Sequence, residues 1–381
     1  MRIAVKEFLK LIRHPMLWCM TVIFLLYNLI LIYGAVGDKD AKLHFHSLHD
    51  TILAYGINLN EPNPNFNRTE PMAEFYLDYV EHAKTLYDDL NMYSILEHKQ
   101  TFFNYHPDPN GLYQKFLRNN YRRLQKRLEE IKATGEADYG FYPGTACGIH
   151  SLLYGRLMRP LMLEMALLMI LSVLYLMDYE RMHKTRHMVI TTRLGKGVMY
   201  RKIPTGIGTG LLFNTCLAAG SFGFFFHCVP FQGLWNVPVA TALMAEVRAH
   251  GYYPFITFRR LTVGSYFALY MTVLALLLMI VGMLTAAVQL LLQNSYFTFL
   301  LQTMLYMVLY LAVPGGFANF LDVLICLNPS ALWIASTCWF MENEVILSFA
   351  GNEFWCIGLW AVIAALGLLC GKRHYKRLEF K

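Results

Sequence analysis

Apolar runs long enough to cross a bilayer alternate along this chain with polar stretches of very unequal length. Val5, Phe8, Leu9 and Ile12 repeat at helical spacing, with Arg2, Lys6, Lys10 and Arg13 on another stripe. Residues 1–15 are therefore expected to form an interfacial helix with its basic stripe toward lipid phosphate. His14-Pro15 interrupts it, and 16–36 follows uncharged for about 32 Å. That length suits a first span better than a cleaved signal peptide, and no A-x-A site follows. Further spans are expected at 160–177, 206–228, 265–288, 296–313 and 353–371.

The connections differ as much as the spans. Residues 37–159 carry 14 Lys+Arg and 16 Asp+Glu and no long apolar run, enough chain for a small domain. Met72, Phe75, Tyr76, Tyr79, Val80, Ala83, Leu86, Tyr87 and Leu90 predict one helical face there. Leu117, Tyr121, Leu124, Leu128 and Ile131 predict another, and the two helices are expected to pack antiparallel. The basic run Arg122 to Arg127, beside Glu129 and Glu130, reads as a solvated face. Residues 178–205 form a short basic loop and 229–264 a polar-aromatic connection. In 314–352, Pro314-Gly315-Gly316, Asn328-Pro329 and Glu342-Asn343-Glu344 break up short apolar stretches, as in a re-entrant segment. Residues 372–381 are a basic tail.

The expected fold class is thus an all-α polytopic membrane protein. It has six transmembrane helices, an N-terminal interfacial helix and a mainly helical extracellular domain between helices 1 and 2. Glycines 206, 208, 210, 220 and 223 are placed for close helix contact in the third span. Composition agrees. Apolar residues reach 56% and charged residues only 15%, which excludes a disordered chain. Mean hydropathy is +0.36.

Charge sets the orientation. The N-terminal helix, the 178–202 loop, the turn between spans four and five and the tail hold 16 Lys+Arg against 4 Asp+Glu. The opposite side holds 17 against 21, so the net charge of +7 is concentrated on one face. Basic short loops lie inside, which places both termini in the cytoplasm of a multi-pass cell-membrane protein, with 37–159 outside. That distribution points to lipid rather than nucleic acid. By this topology positions 99 and 342 are accessible from outside and Lys196 is not.

Chemistry-bearing motifs are sparse. There is no Walker sequence, H-E-x-x-H or G-x-S-x-G, and Gly206 to Gly210 lacks the full dinucleotide fingerprint. No enzyme activity and no metal site are expected. His44, His46, His49 and Asp50 read as a polar loop rather than a metal cluster. Asn67-Arg68-Thr69 fits a glycosylation sequon. The eight cysteines show no metal spacing, and pairing among Cys147, Cys228, Cys326 and Cys338 is open. Glu164 is the one acid in the second span. Rim anchoring through headgroups or Arg159 and a place on a substrate path are both open to it.

The 178–205 loop is the most specific segment. It reads Asp178-Tyr179-Glu180-Arg181, then Thr191-Thr192-Arg193-Leu194-Gly195-Lys196, then Arg201-Lys202. With Leu234-Trp235-Asn236-Val237-Pro238, Tyr253-Pro254 and Leu261-Thr262-Val263, it resembles bacterial export-type (type-2) ABC transporter permeases. The resemblance covers the membrane part and not the 37–159 region. It implies a second permease subunit and a separate ATPase subunit that carries ATP and Mg, with no cofactor in this chain. It also implies ATPase coupling through Glu180, Arg181, Thr191, Thr192, Arg193, Gly195, Lys196 and Lys202. Spans two and five would line the path, with Glu164, Asn294, Gln302 and Tyr306 as path residues. Peptide, drug, lipid and ion all remain open as substrate, and the outer region is open to a peptide or protein partner. The alternative is a membrane-anchored peptide-sensing or immunity protein that transports nothing.

Overall fold

The computed structural model describes residues 2–102, 105, 111–191, 197–248, 251–313, 320–343 and 346–377. The chain is about 75% helical with almost no strand. Among the described residues, five helical stretches are long and apolar enough to cross a membrane: Pro15–Gly37, Gly144–Met182, Gly197–Cys228, Val263–Leu292 and Asn352–Arg377. The segment expected as a further span is the shorter apolar helix Ser295–Leu311.

In chain order the helices are α1 (Arg2–Ile12), α2 (Pro15–Ile32), α3 (Lys39–Tyr55), α4 (Ala73–Ala83), α5 (Met92–Phe102) and α6 (Leu112–Thr134). Then come α7 (Gly144–Cys147), α8 (Met158–Met182), α9 (Arg186–Thr191) and α10 (Gly197–Cys228). The last are α11 (Val263–Leu292), α12 (Ser295–Leu311), α13 (Phe320–Cys326), α14 (Pro329–Ile334) and α15 (Asn352–Arg377). A two-stranded antiparallel ribbon, β1 (Glu246–Arg248) with β2 (Gly251–Tyr253), sets Glu246 opposite Tyr253. Tyr33–Gly37 and Ser151–Leu157 are wound as π-helix where the chain enters and leaves the polar region.

Local chemistry explains the helix ends. Pro15 sits at the first position of α2, where its missing N–H costs nothing. Thr262 and Ser265 form a reciprocal capping box at the start of α11. The Asn294 side chain accepts from the backbone N–H groups of Tyr296 and Phe297, and Asn328 accepts from Ala331 N–H. Asn328-Pro329 therefore starts a helix rather than breaking one.

The long helices pack as a bundle, α8 along α10 and α11 along both α8 and α15. Two of the five glycines expected at close contacts carry the α8–α10 approach. A Cβ on Gly206 would lie 3.3 Å from Val173 Cα, and one on Gly210 would lie 2.8 Å from Met169 Sδ. Gly220 faces Leu25 of α2, whereas Gly208 and Gly223 face open space.

The polar region corrects several expectations. α6 forms as expected and buries Leu117, Tyr121, Leu124, Leu128 and Ile131. Its partner is α5, not α4. α4 stops at Ala83, short of the expected face, although Tyr87 is still buried and donates to Ala240 O at 2.6 Å. Arg127 is not on a solvated face. It is buried and donates twice to Glu136, whereas Arg122, Arg123 and Lys126 stay exposed. The region shares one continuous apolar core with the 229–263 connection and the 323–349 segment, through residues such as Tyr142, Phe231 and Trp339. Tyr142 O–H donates to Pro230 O, and Thr241 O–H donates to Tyr139 O.

Histidines 44, 46 and 49 lie on α3, not in a loop. His46 and His49 place ring nitrogens on the carbonyls of His227 and Gln232, at 3.3 Å and 2.7 Å. Cys147 and Cys228 hold free thiols.

Candidate functional site

The end of the bundle nearest both termini carries a buried charge cluster. α8 runs on to Met182 and α10 starts at Gly197, so much of the expected 178–205 loop is helix. Lys202 thus lies inside α10, fully buried, with its ammonium turned to α8. It donates to the Glu180 carboxylate and, at 2.8 Å, to Leu176 O. Glu7 of α1 comes within 3.9 Å of the same ammonium. Lys10 of α1 completes the cluster at 2.7 Å from Glu7 and 3.2 Å from Glu180. It also stands 4.4 Å over the Tyr179 ring.

Two acids and two bases thus join three helices, and each charge meets an opposite one. Lys10 was expected to face lipid phosphate, but it turns inward. Burial works against its charge, yet Glu7 and Glu180 together hold it above the ordinary lysine pKa. Leu11, Leu17, Leu176 and Phe213 form a small apolar core beside the cluster. The His14 and Tyr175 rings pack there with centroids 3.8 Å apart.

Arg181 makes a second link. It pairs with Asp178 at 2.7 Å and donates to Gln293 O in the turn between α11 and α12. That turn is locked by Gln289, which accepts from Thr298 Oγ1 at 2.8 Å and donates to Ser295 Oγ at 3.3 Å. Thr191 ends α9, exposed, with its hydroxyl on Met188 O at 2.9 Å. Thr192, Arg193, Gly195 and Lys196 lie outside the described residues. Of the expected coupling residues, then, Glu180 and Lys202 pair within the chain, Arg181 ties α8 to a neighbouring turn, and Thr191 is left on the surface.

The four expected path residues do not converge. Glu164 is buried between α8 and α2, where Asn28 donates to it at 2.6 Å. It makes no pair with Arg159, which instead donates to Ser336 Oγ and Ile334 O at 3.1 Å and 2.8 Å. Asn294 is a helix cap. Gln302 donates to Tyr306 Oη at 3.2 Å, and Tyr306 lines a cavity that the other three do not reach. That cavity, about 390 Å³ and almost wholly apolar, lies between α8, α11, α12 and α14, with Met162, Leu277, Met307, Trp333 and Trp339 in its wall. Its volume falls within the range of about 300–1,000 Å³ typical of small-molecule sites.

Glu7 and Asn28 were not singled out from sequence, and Lys10 was read only as part of the lipid-facing basic stripe. Asn28 carried a usable signal, as an amide in the middle of an uncharged run. Glu7 and Lys10 carried one only in their spacing of three.

No family model, no curated protein and no solved structure matches the chain.

Proposed function

We propose that the chain is the membrane-spanning permease subunit of an ABC transporter, an exporter powered by a separate ATPase subunit. The observation that carries this reading is the Glu7–Lys10–Glu180–Lys202 cluster. It fastens α1 to α8 and α10 beside the connection that the resemblance assigns to ATPase docking. A push on 183–196 from below would move α1, α8 and α10 as one body. The Arg181 bond to Gln293 would carry that displacement to the α11–α12 turn. In this reading α12 is a sixth span, both termini are cytoplasmic, the polar region is outside, and a second permease subunit completes the pathway. ATP and Mg belong to the partner.

The energy test is direct. The tagged chain, purified from its native membranes in mild detergent, should carry ATP hydrolysis only while a subunit with a phosphate-binding loop co-purifies. Hydrolysis by the single chain after stringent washing, or no such subunit in any preparation, would end the permease reading.

Topology is tested separately. Lys99 and Glu342 were expected to be accessible, but both are buried, at 2% and 0% exposure, and make poor probes. Glu81 on α4 and Thr191 on α9 are exposed. In intact cells Glu81→Cys should react with an impermeant thiol reagent, and Thr191→Cys should react only after permeabilisation. The reverse pattern would invert the topology.

A further inference from the structure

The apolar cavity has a charged neighbour. An open cleft of about 650 Å³ lies at the polar-region end of α8, lined by Tyr27, Ser151, Arg156, Arg159, Trp333 and Thr337 among others. Leu163 and Trp333 line both spaces, so the two adjoin. Trp333 is fixed at the junction by its indole N–H, which donates to Arg159 O at 2.9 Å.

The wall of the cleft is cationic, and the Glu246 carboxylate lies buried behind it, accepting from Ser151. Arg156 and Arg159 are three residues apart and both exposed. Arg159 uses donors on neutral acceptors, Ser336 Oγ and Ile334 O. Arg156 has no ion pair among the described residues, and no carboxylate lines the cleft. Guanidinium groups bind phosphate oxygens in pairs of parallel hydrogen bonds. The adjoining cavity offers nothing to a charge and much to a hydrocarbon chain. Its mouth carries Leu163, Met307 and Tyr310, each about half exposed or more. That is the side a bilayer would cover.

We infer that the two spaces together bind one anionic phospholipid, its phosphate on Arg156 and Arg159 and an acyl chain past Trp333 into the apolar cavity. Neither half explains the other alone. A free phosphate has no use for the apolar wall, and a neutral hydrocarbon has no use for two arginines that meet no carboxylate among the described residues. The inference rests on reading the long helices as membrane spans, and it adds a ligand class to the proposed permease.

Tryptophan quenching tests it without an ATPase partner, so either reading can fail alone. The purified chain is reconstituted in nanodiscs containing acyl-brominated phosphatidylglycerol or acyl-brominated phosphatidylcholine. Quenching by the glycerol lipid should exceed that by the choline lipid; Trp333→Phe should reduce the difference, and Trp333→Phe/Trp339→Phe should remove it. Arg156→Gln, at an exposed position, should weaken the preference about fivefold, the worth of one basic residue at an anionic surface. Excess inorganic phosphate should leave most of the quenching in place. Equal quenching by the two lipids, a preference that survives Arg156→Gln, or full displacement by inorganic phosphate would each overturn the site.

Discussion

Lys202→Met is expected to cost about 3–5 kcal/mol, because it leaves the Glu180 carboxylate buried with its main partner gone. The ammonium is fully enclosed and bonded to Glu180 and Leu176 O, so water cannot replace it without opening the α8–α10 contact. Gly206 lies one turn further along α10 and brings the two helices close at that level. Thermal unfolding in detergent, followed by loss of the monodisperse gel-filtration peak, reads the effect. The double variant Lys202→Met/Glu180→Met should recover most of the loss, since apolar replacement of a whole buried pair is often neutral or better. If the single and double variants unfold alike, the cluster is not a mutually compensating unit. A Lys10→Met control should cost less, because Lys10 is only partly buried.

Lys99→Met should have a loss of similar size at the other end of the molecule. Lys99 of α5 donates to Glu342 and to Asn343 O, and Glu342 also accepts from Tyr121 at 3.3 Å and Tyr253 at 2.8 Å. One carboxylate thus ties α5, α6 and β2 to the segment before α15. Without the ammonium, about 3–5 kcal/mol should be lost and residues 336–343 should become protease-sensitive before the bundle melts. Arg122→Ala on the exposed face of α6 should stay within about 0.5 kcal/mol. Equal protease sensitivity in the two variants would show that the Lys99–Glu342 pair does not hold this segment down.

These pairs mark where sequence reading stopped. Uncharged runs located the long helices, because a lipid-length apolar block has few other uses. The alternating steps of three and four located α6. Partnerships between distant charges were invisible, since a Lys or Glu reads by default as surface. Lys99 and Glu342 are 243 residues apart, and Lys99 itself disguised the inward face of α5 as polar. Glu180 and Lys202 were noticed, but as contacts for another subunit, because adjoining helices cannot be inferred from one strand of residue types. Trp333 and Trp339 gave no periodic signal, being held on a short helix and the turn after it.

The α11–α12 turn bears on how the chain is built into a membrane. It is only Gln293 and Asn294, the first at φ 52° closing α11 and the second capping α12. The 17 residues of α12 make about 26 Å of helix, short of the roughly 30 Å hydrocarbon thickness. Such a helix is a weak insertion signal by itself. Its 30-residue predecessor is a strong one. The turn leaves no slack between them, so in the proposed six-span reading α12 would enter the bilayer together with α11 as one hairpin. A loop lengthened there would separate the two insertion events and leave α12 to partition alone.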